Sequence, residues 1–386
     1  MRILLIGAFP FPYPQGSQVF TVEQARALAR SGAQVALATY GRGEGPLPEG
    51  VTDDDSGEVL WIPSSRRFAP RRTRSGPSLN KPVADAALVA TVVQAQRKRR
   101  FDIALAHNAE AAWVAQVARR VTGLPHVYVA HTLLAQELSA FGRPQHGVAL
   151  QAIGAKIDRH VARYADATLA LSHAGERALQ PWVRGPLRRI PPGLERSTPP
   201  SHVERQRACQ RLGVTPRGFF LYAGNLDGYQ DLALLDAAAS QVGPAGLPVL
   251  VATHDATGAD RFDALRVVPC DFWTTRCLAL EARALLLPRR RVGGFPIKLL
   301  NYLDTGRPVI AHETVAEGLV DGVSARLLPR TAGAEDWADA LRGLASQPQT
   351  GDRLGAAGRE HLESVHDWRA IADQTVALCA DTMSRG

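Results

Sequence analysis

Cysteine is scarce: the 386 residues contain only Cys209, Cys270, Cys277 and Cys379, with no Cys-x-x-Cys pair and no Cys/His cluster at zinc spacing. This excludes a disulfide framework and a structural zinc site, and the four thiols read as small buried hydrophobes. Long apolar runs are also missing. None approaches the roughly 18 residues of a membrane-spanning helix, and the apolar opening MRILLIGA stops at a Pro-rich stretch with no small-residue cleavage site. A cytoplasmic location is expected. Aromatic residues make up only 6% of the chain and do not interleave with its basic clusters, so a stacking platform for single-stranded nucleic acid finds no support. Nucleic acid is not an expected partner.

What the chain does have is length for two domains and alternating patterns to fill them. In the first half, the short apolar runs RILLIGAF, AQVALATY, FDIALAHN, HVYVAHT and ATLALS are separated by helical stretches such as TVEQARALARSG. The second half repeats the plan with FFLYAG, PVLVAT, ALLLP, RPVIAH and ARLLP. Apolar runs of this length between helices indicate parallel strands buried on both faces, so each half reads as one doubly wound α/β sheet. The Pro-rich stretch RRIPPGLERSTPPSHVERQ is suited to a linker, which sets domains at 1–195 and 196–365. The amphipathic segment 366–386 either caps the second domain or returns to the first.

Charge is uneven. Residues 1–195 hold 24 Lys and Arg against 15 Asp and Glu, whereas 196–386 hold 21 against 22. The excess peaks between residues 63 and 82, where PSSRRFAPRRTRSGPSLNKP carries five Arg, one Lys and four Pro. This segment is expected to be a mobile loop that closes on an anionic acceptor, rests on a lipid surface, or is simply solvated. Contact with a membrane surface would make the protein peripheral to it.

Two loops can carry chemistry. After the first strand, FPFPYPQGSQ places Gly16 and Ser17 at a helix start, where free N–H donors suit a phosphate although no GxGxxG spacing is present. The second, RRRVGGFPIKLLNYLDTGRPVIA, is the stronger signal. Gly293 and Gly294 precede Phe295, Pro296 suits a first helical position, and Gly306 with Pro308 closes the helix. Lys298 lies in the first turn, where a cation opposes the helix dipole unless it faces an anion, which points to a diphosphate. Asn301 follows on the same face with a donor and an acceptor for vicinal hydroxyls. At the first-domain strand ends stand His107 and His131, with Glu137 further along; strand ends in an open α/β sheet are where ligands bind.

These segments together resemble the glycosyltransferase family 4 type of GT-B enzymes. The resemblance rests on PQGSQVFTVEQARALARSGAQVALAT, AHTLLAQEL, ADATLALSHAGERAL, FLYAGNLDGYQDLALL and, most specifically, GGFPIKLLNYLDTGRPVIA. It implies two facing Rossmann-like domains with a nucleotide sugar in the cleft between them. The nucleotide would rest on the second domain, the acceptor mainly on the first, and no cofactor or metal would be needed. By the same resemblance His131 lies beside the transferred sugar, and Gly16, Ser17, Gly224, Asn225, Arg291, Gly293, Gly294, Phe295, Pro296, Lys298 and Asn301 belong to the donor site. His107 and Glu137 either stand on the acceptor side or are a histidine satisfied within its own loop and a glutamate that solvates its helix.

The departures are specific. The family commonly has two glutamates where this chain has Gly293 and Asn301, and an Arg and a Lys on the diphosphate where it has Asn225 and Gln230. Two expectations follow. The first is a metal-independent, retaining transfer of a sugar from a nucleotide diphosphate donor to a small-molecule, glycan or lipid-linked acceptor. The second is a nucleotide-sugar-binding scaffold that has lost turnover.

Overall fold

The computed structural model describes all residues except 14–15, 68–80, 141–146, 244–245, 291–293 and 386, and the side chains of 139 and 140. The chain divides into two compact units. The first comprises Met1–Glu195, Gly293–Phe295 and His366–Gly386; the second comprises Arg196–Val292 and Pro296–Val365.

The first unit opens with β1 (Arg2–Pro10), α1 (Gly16–Arg30), β2 (Gln34–Tyr40), β3 (Val51–Thr52) and β4 (Val59–Pro63). It continues with α2 (Lys81–Arg99), β5 (Ile103–His107), α3 (Asn108–Thr122), β6 (His126–Ala130), α4 (Leu134–Ala140) and α5 (Gly147–Tyr164). The segments β7 (Ala167–Ala170), α6 (His173–Leu179) and β8 (Leu187–Arg189) follow. Among the described residues its sheet has eight strands, all parallel, in the order β3-β4-β2-β1-β5-β6-β7-β8. Central strands are apolar because both faces are covered: Ile3, Leu4, Leu5 and Ile6 of β1 are fully buried. The ends of the segment 63–82 are regular structure, Pro63 in β4 and Lys81 and Pro82 in α2. Arg71, Arg72 and Arg74 lie outside the described residues.

The second unit contains α7 (His202–Arg211), β9 (Phe220–Ala223), α8 (Leu232–Val242), β10 (Val249–Thr253), β11 (Leu265–Pro269), α9 (Phe272–Glu281) and β12 (Ala284–Leu287). Then come α10 (Ile297–Asp304), β13 (Val309–His312), β14 (Arg326–Leu328), α11 (Ala334–Ser346) and α12 (Pro348–Val365). Its parallel sheet has the order β11-β10-β9-β12-β13-β14. The helix α7 starts on a capping box, Ser201 accepting from the Glu204 amide and Glu204 from the Ser201 amide.

The last helix, α13 (Trp368–Ser384), belongs to the first unit. Trp368 Nε1 donates to Glu23 Oε2 at 3.0 Å, and its ring packs on Phe20 with centroids 5.5 Å apart. Gly193 makes room for that ring, since a Cβ there would overlap it. Cys209, Cys277 and Cys379 are buried, and Cys270 is half-buried at the end of β11.

In the second unit α10 is held by an ion-pair cluster. The Asp304 carboxylate, 9% exposed, accepts from Arg276 of α9 at 3.0 Å and pairs with Arg196 at 3.5 Å. Asp304→Ala would leave a largely buried guanidinium without its partner. We expect a loss of about 3 kcal/mol, read as a lower urea midpoint at unchanged m-value. An unchanged midpoint would show that the cluster contributes nothing net.

Candidate functional site

In each sheet the strand order reverses beside the first strand of the unit, between β1 and β5 and between β9 and β12. Ligands of open α/β sheets bind at the carboxyl ends of the strands at such a switch point. Both points carry a polar cluster.

In the second unit the cluster is built around Lys298. Its ammonium donates to the Tyr222 hydroxyl at 2.9 Å and to Gln230 Oε1 at 3.3 Å, and lies 4.4 Å from the Tyr222 ring centroid. Gly224 permits this approach: it sits at φ 150°, and a Cβ there would overlap Lys298 Nζ. Its N–H is used by the sheet, donating to Ala252, so its contribution is space and not a phosphate donor. Gln230 Nε2 passes on to Asn225 Oδ1 at 3.0 Å, and Asn225 Nδ2 donates to Asp227 Oδ2 at 2.5 Å. Asn225 and Gln230, standing where the resemblance puts cations, are thus bound to one another, and Asn225 also to Asp227. Burial, reinforced by the Arg289 charge and opposed by Asp227, pushes the Lys298 ammonium down to about 7. Burial also lowers Arg289, whose guanidinium lies 5.4 Å from the Tyr229 ring centroid.

Pro296 is the residue before α10 and not its first position, with φ −78° and ψ 88°. Of the first amides of the eight-residue helix after it, that of Leu299 donates to the Pro296 carbonyl at 2.7 Å, and those of Ile297 and Lys298 have no intrahelical acceptor. Asn301 is half-buried one turn further. Arg291 and Gly293 lie outside the described residues.

In the first unit the cluster is a histidine pair. His107 ends β5 and His131 follows β6, and His107 Nδ1 stands 2.9 Å from His131 Nε2. The Thr21 hydroxyl of α1 is 3.2 Å from the same Nδ1 and donates to the Ser17 carbonyl at 2.8 Å. Phe20 packs edge-on against both rings, at 6.0 and 4.7 Å between centroids. Burial holds both imidazoles neutral, taking His131 down to about 3 and His107 well below its ordinary value. Gly294 joins this cluster, grouped with the first unit. At φ 83° it lies against the His131 carbonyl and Thr132 Oγ1, where a Cβ has no room. Phe295 also belongs to the first unit, edge-on to His366 at 5.4 Å.

Gly16 opens α1, and a Cβ there would meet nothing within 4 Å, so the glycine leaves open space at the helix start. Ser17 turns its hydroxyl to Gln18 Oε1 at 3.0 Å. Glu137 is half-buried in α4, and burial with the nearby Glu110 charge raises its carboxyl. The sequence reading missed Tyr222, Tyr229 and Asp227 beside Lys298, and Thr21 and Phe20 beside the histidines. Nor does the sequence show that His107 and His131 form a pair, which the folded chain does.

Two doubly wound parallel sheets, each with a polar cluster at its switch point, define the GT-B fold of glycosyltransferases. Residues 14–198 match the model of Glycosyltransferase Family 4, so the first half of the chain carries that family's domain. No curated protein matches the sequence. Among solved structures the whole chain is similar to sucrose-phosphate synthase from Thermosynechococcus elongatus, at 19% identity and TM-score 0.80 over 100% of both chains. It is also similar to Anabaena HepE in complex with UDP and glucose, at 16% identity and TM-score 0.72 over 98% of this chain and 99% of that one. A third is WaaG, a glycosyltransferase involved in lipopolysaccharide biosynthesis, at 16% identity and TM-score 0.68 over 98% and 99%. Among the described residues no helix is long and apolar enough to cross a membrane.

Proposed function

We propose that this glycosyltransferase moves a hexose from a nucleoside diphosphate donor to a hydroxyl acceptor, with retention and without a metal. The observation that carries the reading is Lys298, a desolvated ammonium held at the β9/β12 switch point beside Arg289 and the start of α10. Breaking a glycosyl diphosphate bond builds negative charge on phosphate oxygens, and preorganised cations and amides in a dry site stabilise it. Asn301 serves the ribose hydroxyls. On the first unit, His131 orients a sugar hydroxyl, with Gly16 and Ser17 giving access at the start of α1 and Glu137 on the acceptor side. The solved complex of HepE with UDP-glucose supports a nucleotide sugar as the donor class.

The binding-only reading draws on one observation: where the resemblance implies extra cations stand two amides, Gln230 donating to Asn225 and Asn225 to the acid Asp227. Hydrolysis of UDP-, GDP-, ADP- and TDP-sugars separates the two. We expect slow hydrolysis of one donor, and His131→Ala to lower turnover about tenfold, the scale of one lost hydrogen bond to a polarised group, while sparing nucleoside diphosphate affinity. Binding without turnover for every acceptor tried would select the scaffold, and no binding of any donor would remove both readings.

A further inference from the structure

The contacts of the histidine pair decide where its protons sit. Thr21 has one hydroxyl proton, and the Ser17 carbonyl 2.8 Å away can only accept it. With that proton committed, the Thr21 oxygen accepts from His107 Nδ1 at 3.2 Å, so His107 carries its proton on Nδ1. The same N–H faces His131 Nε2 at 2.9 Å. Two N–H groups cannot face one another, so His131 Nε2 is bare, and the single proton of a neutral His131 sits on Nδ1.

The far side of His107 agrees. Its Nε2 is buried with no hydrogen-bond partner among the described residues. Orphaned buried N–H groups are rarer than under-satisfied acceptors, so a bare nitrogen fits that position better than a protonated one. The opposite arrangement would strand an N–H at Nε2 and set the lone pairs of Thr21 Oγ1 and His107 Nδ1 against each other at 3.2 Å unless Thr21 gave up Ser17.

We propose that His107 is a positioning residue: together with Thr21 it locks His131 in the Nδ1–H form, so that His131 meets a sugar as a hydrogen-bond donor and not as a base. The functional half of this statement rests on the reading of His131 given above. It selects ligand groups that accept, such as a hydroxyl or ether oxygen. It also removes His131 from the groups able to take a proton from the acceptor.

The test is a two-bond 1H–15N correlation spectrum of the full chain with 15N-labelled histidine, the signals assigned from His107→Gln and His131→Gln. We expect His131 protonated at Nδ1 and bare at Nε2. His107→Asn, whose amide N–H stands near the place of Nδ1–H, should keep that form, and His107→Leu should shift His131 toward Nε2–H. In hydrolysis of UDP-glucose, His107→Leu should lower kcat about tenfold at little change in KM, and His107→Asn should recover most of the loss. His131 protonated at Nε2 in the parent chain, or an unaltered tautomer in His107→Leu, would overturn the proposal. If His107→Leu does not fold, the parent spectrum and His107→Asn still decide. Should none of the UDP-, GDP-, ADP- and TDP-sugars move the His131 Nδ1 signal, the sugar-site reading fails while the tautomer assignment stands.

Discussion

Affinity for a nucleoside diphosphate should fall as the pH rises through about 7, by up to about tenfold per pH unit. The cause is the desolvated Lys298 ammonium, with Arg289 opposing its charge, Asp227 supporting it and Tyr222 and Gln230 accepting from it. Below pH 7 the lysine of the free protein is already charged. Above it the lysine is neutral and must take up a proton to meet the anion, whose terminal phosphate is ionised throughout this range. The slope should persist up to the raised pKa of the bound state. Calorimetry in buffers of different ionisation enthalpy would show the proton uptake directly. Lys298→Met should weaken binding tenfold or more, about 1.5–3 kcal/mol for a charge-assisted hydrogen bond, and flatten the pH profile. The same variant should be more stable near neutral pH. Because the folded-state value lies below that of the unfolded chain, the unfolded state holds the extra proton between pH 7 and about 10.5, and parent stability climbs through that window. In the variant this climb should vanish. Equal pH slopes of binding in parent and variant would remove Lys298 from the site.

Gly294→Ala should be the most damaging small substitution near the histidine pair. A left-handed φ of 83° costs an alanine about 1–2 kcal/mol. The added methyl must also displace the His131 carbonyl or Thr132 Oγ1, which the folded backbone does not vacate cheaply. We expect a moved His131, a fall of more than about tenfold in turnover of whichever nucleotide sugar the parent chain hydrolyses, and a Tm lower by about 2–4 °C per kcal/mol lost. Gly16→Ala, where a Cβ meets open space, serves as the contrast and should leave Tm unaltered. A Gly294→Ala protein with parental turnover would show that this backbone contact is not needed to place His131.

The central strands were legible because burial on both faces makes them nearly pure apolar runs, as in RILLIGAF and PVLVAT. The strands that escaped, β3, β4, β8 and β11, lie at or next to sheet edges. There one side faces water and the apolar run shortens or carries charge, as with Arg266 in β11 and Arg188 in β8. Lys298 was legible for a related reason: a cation in a first helical turn violates the local dipole rule, and such violations mark sites. Its partners were not. Tyr222 reads as an ordinary strand aromatic, and only the folded chain shows its hydroxyl meeting an ammonium from 76 residues away. The pairing of His107 with His131 was hidden likewise, because adjacency of β5 and β6 is a property of strand order.

The place of α13 in the first unit has a consequence for how the chain is made. The Trp368 seat against Phe20 and Gly193 is complete by Glu195, but its occupant leaves the ribosome only after roughly 170 further residues. At about 5–20 residues per second, that seat stays open for about 10–30 seconds of every synthesis. The exposed Phe20 edge is then a landing place for chaperones or for the wrong apolar segment. Nascent chains stalled between residues 200 and 360 should therefore be markedly more sensitive to protease in the first unit than the finished protein.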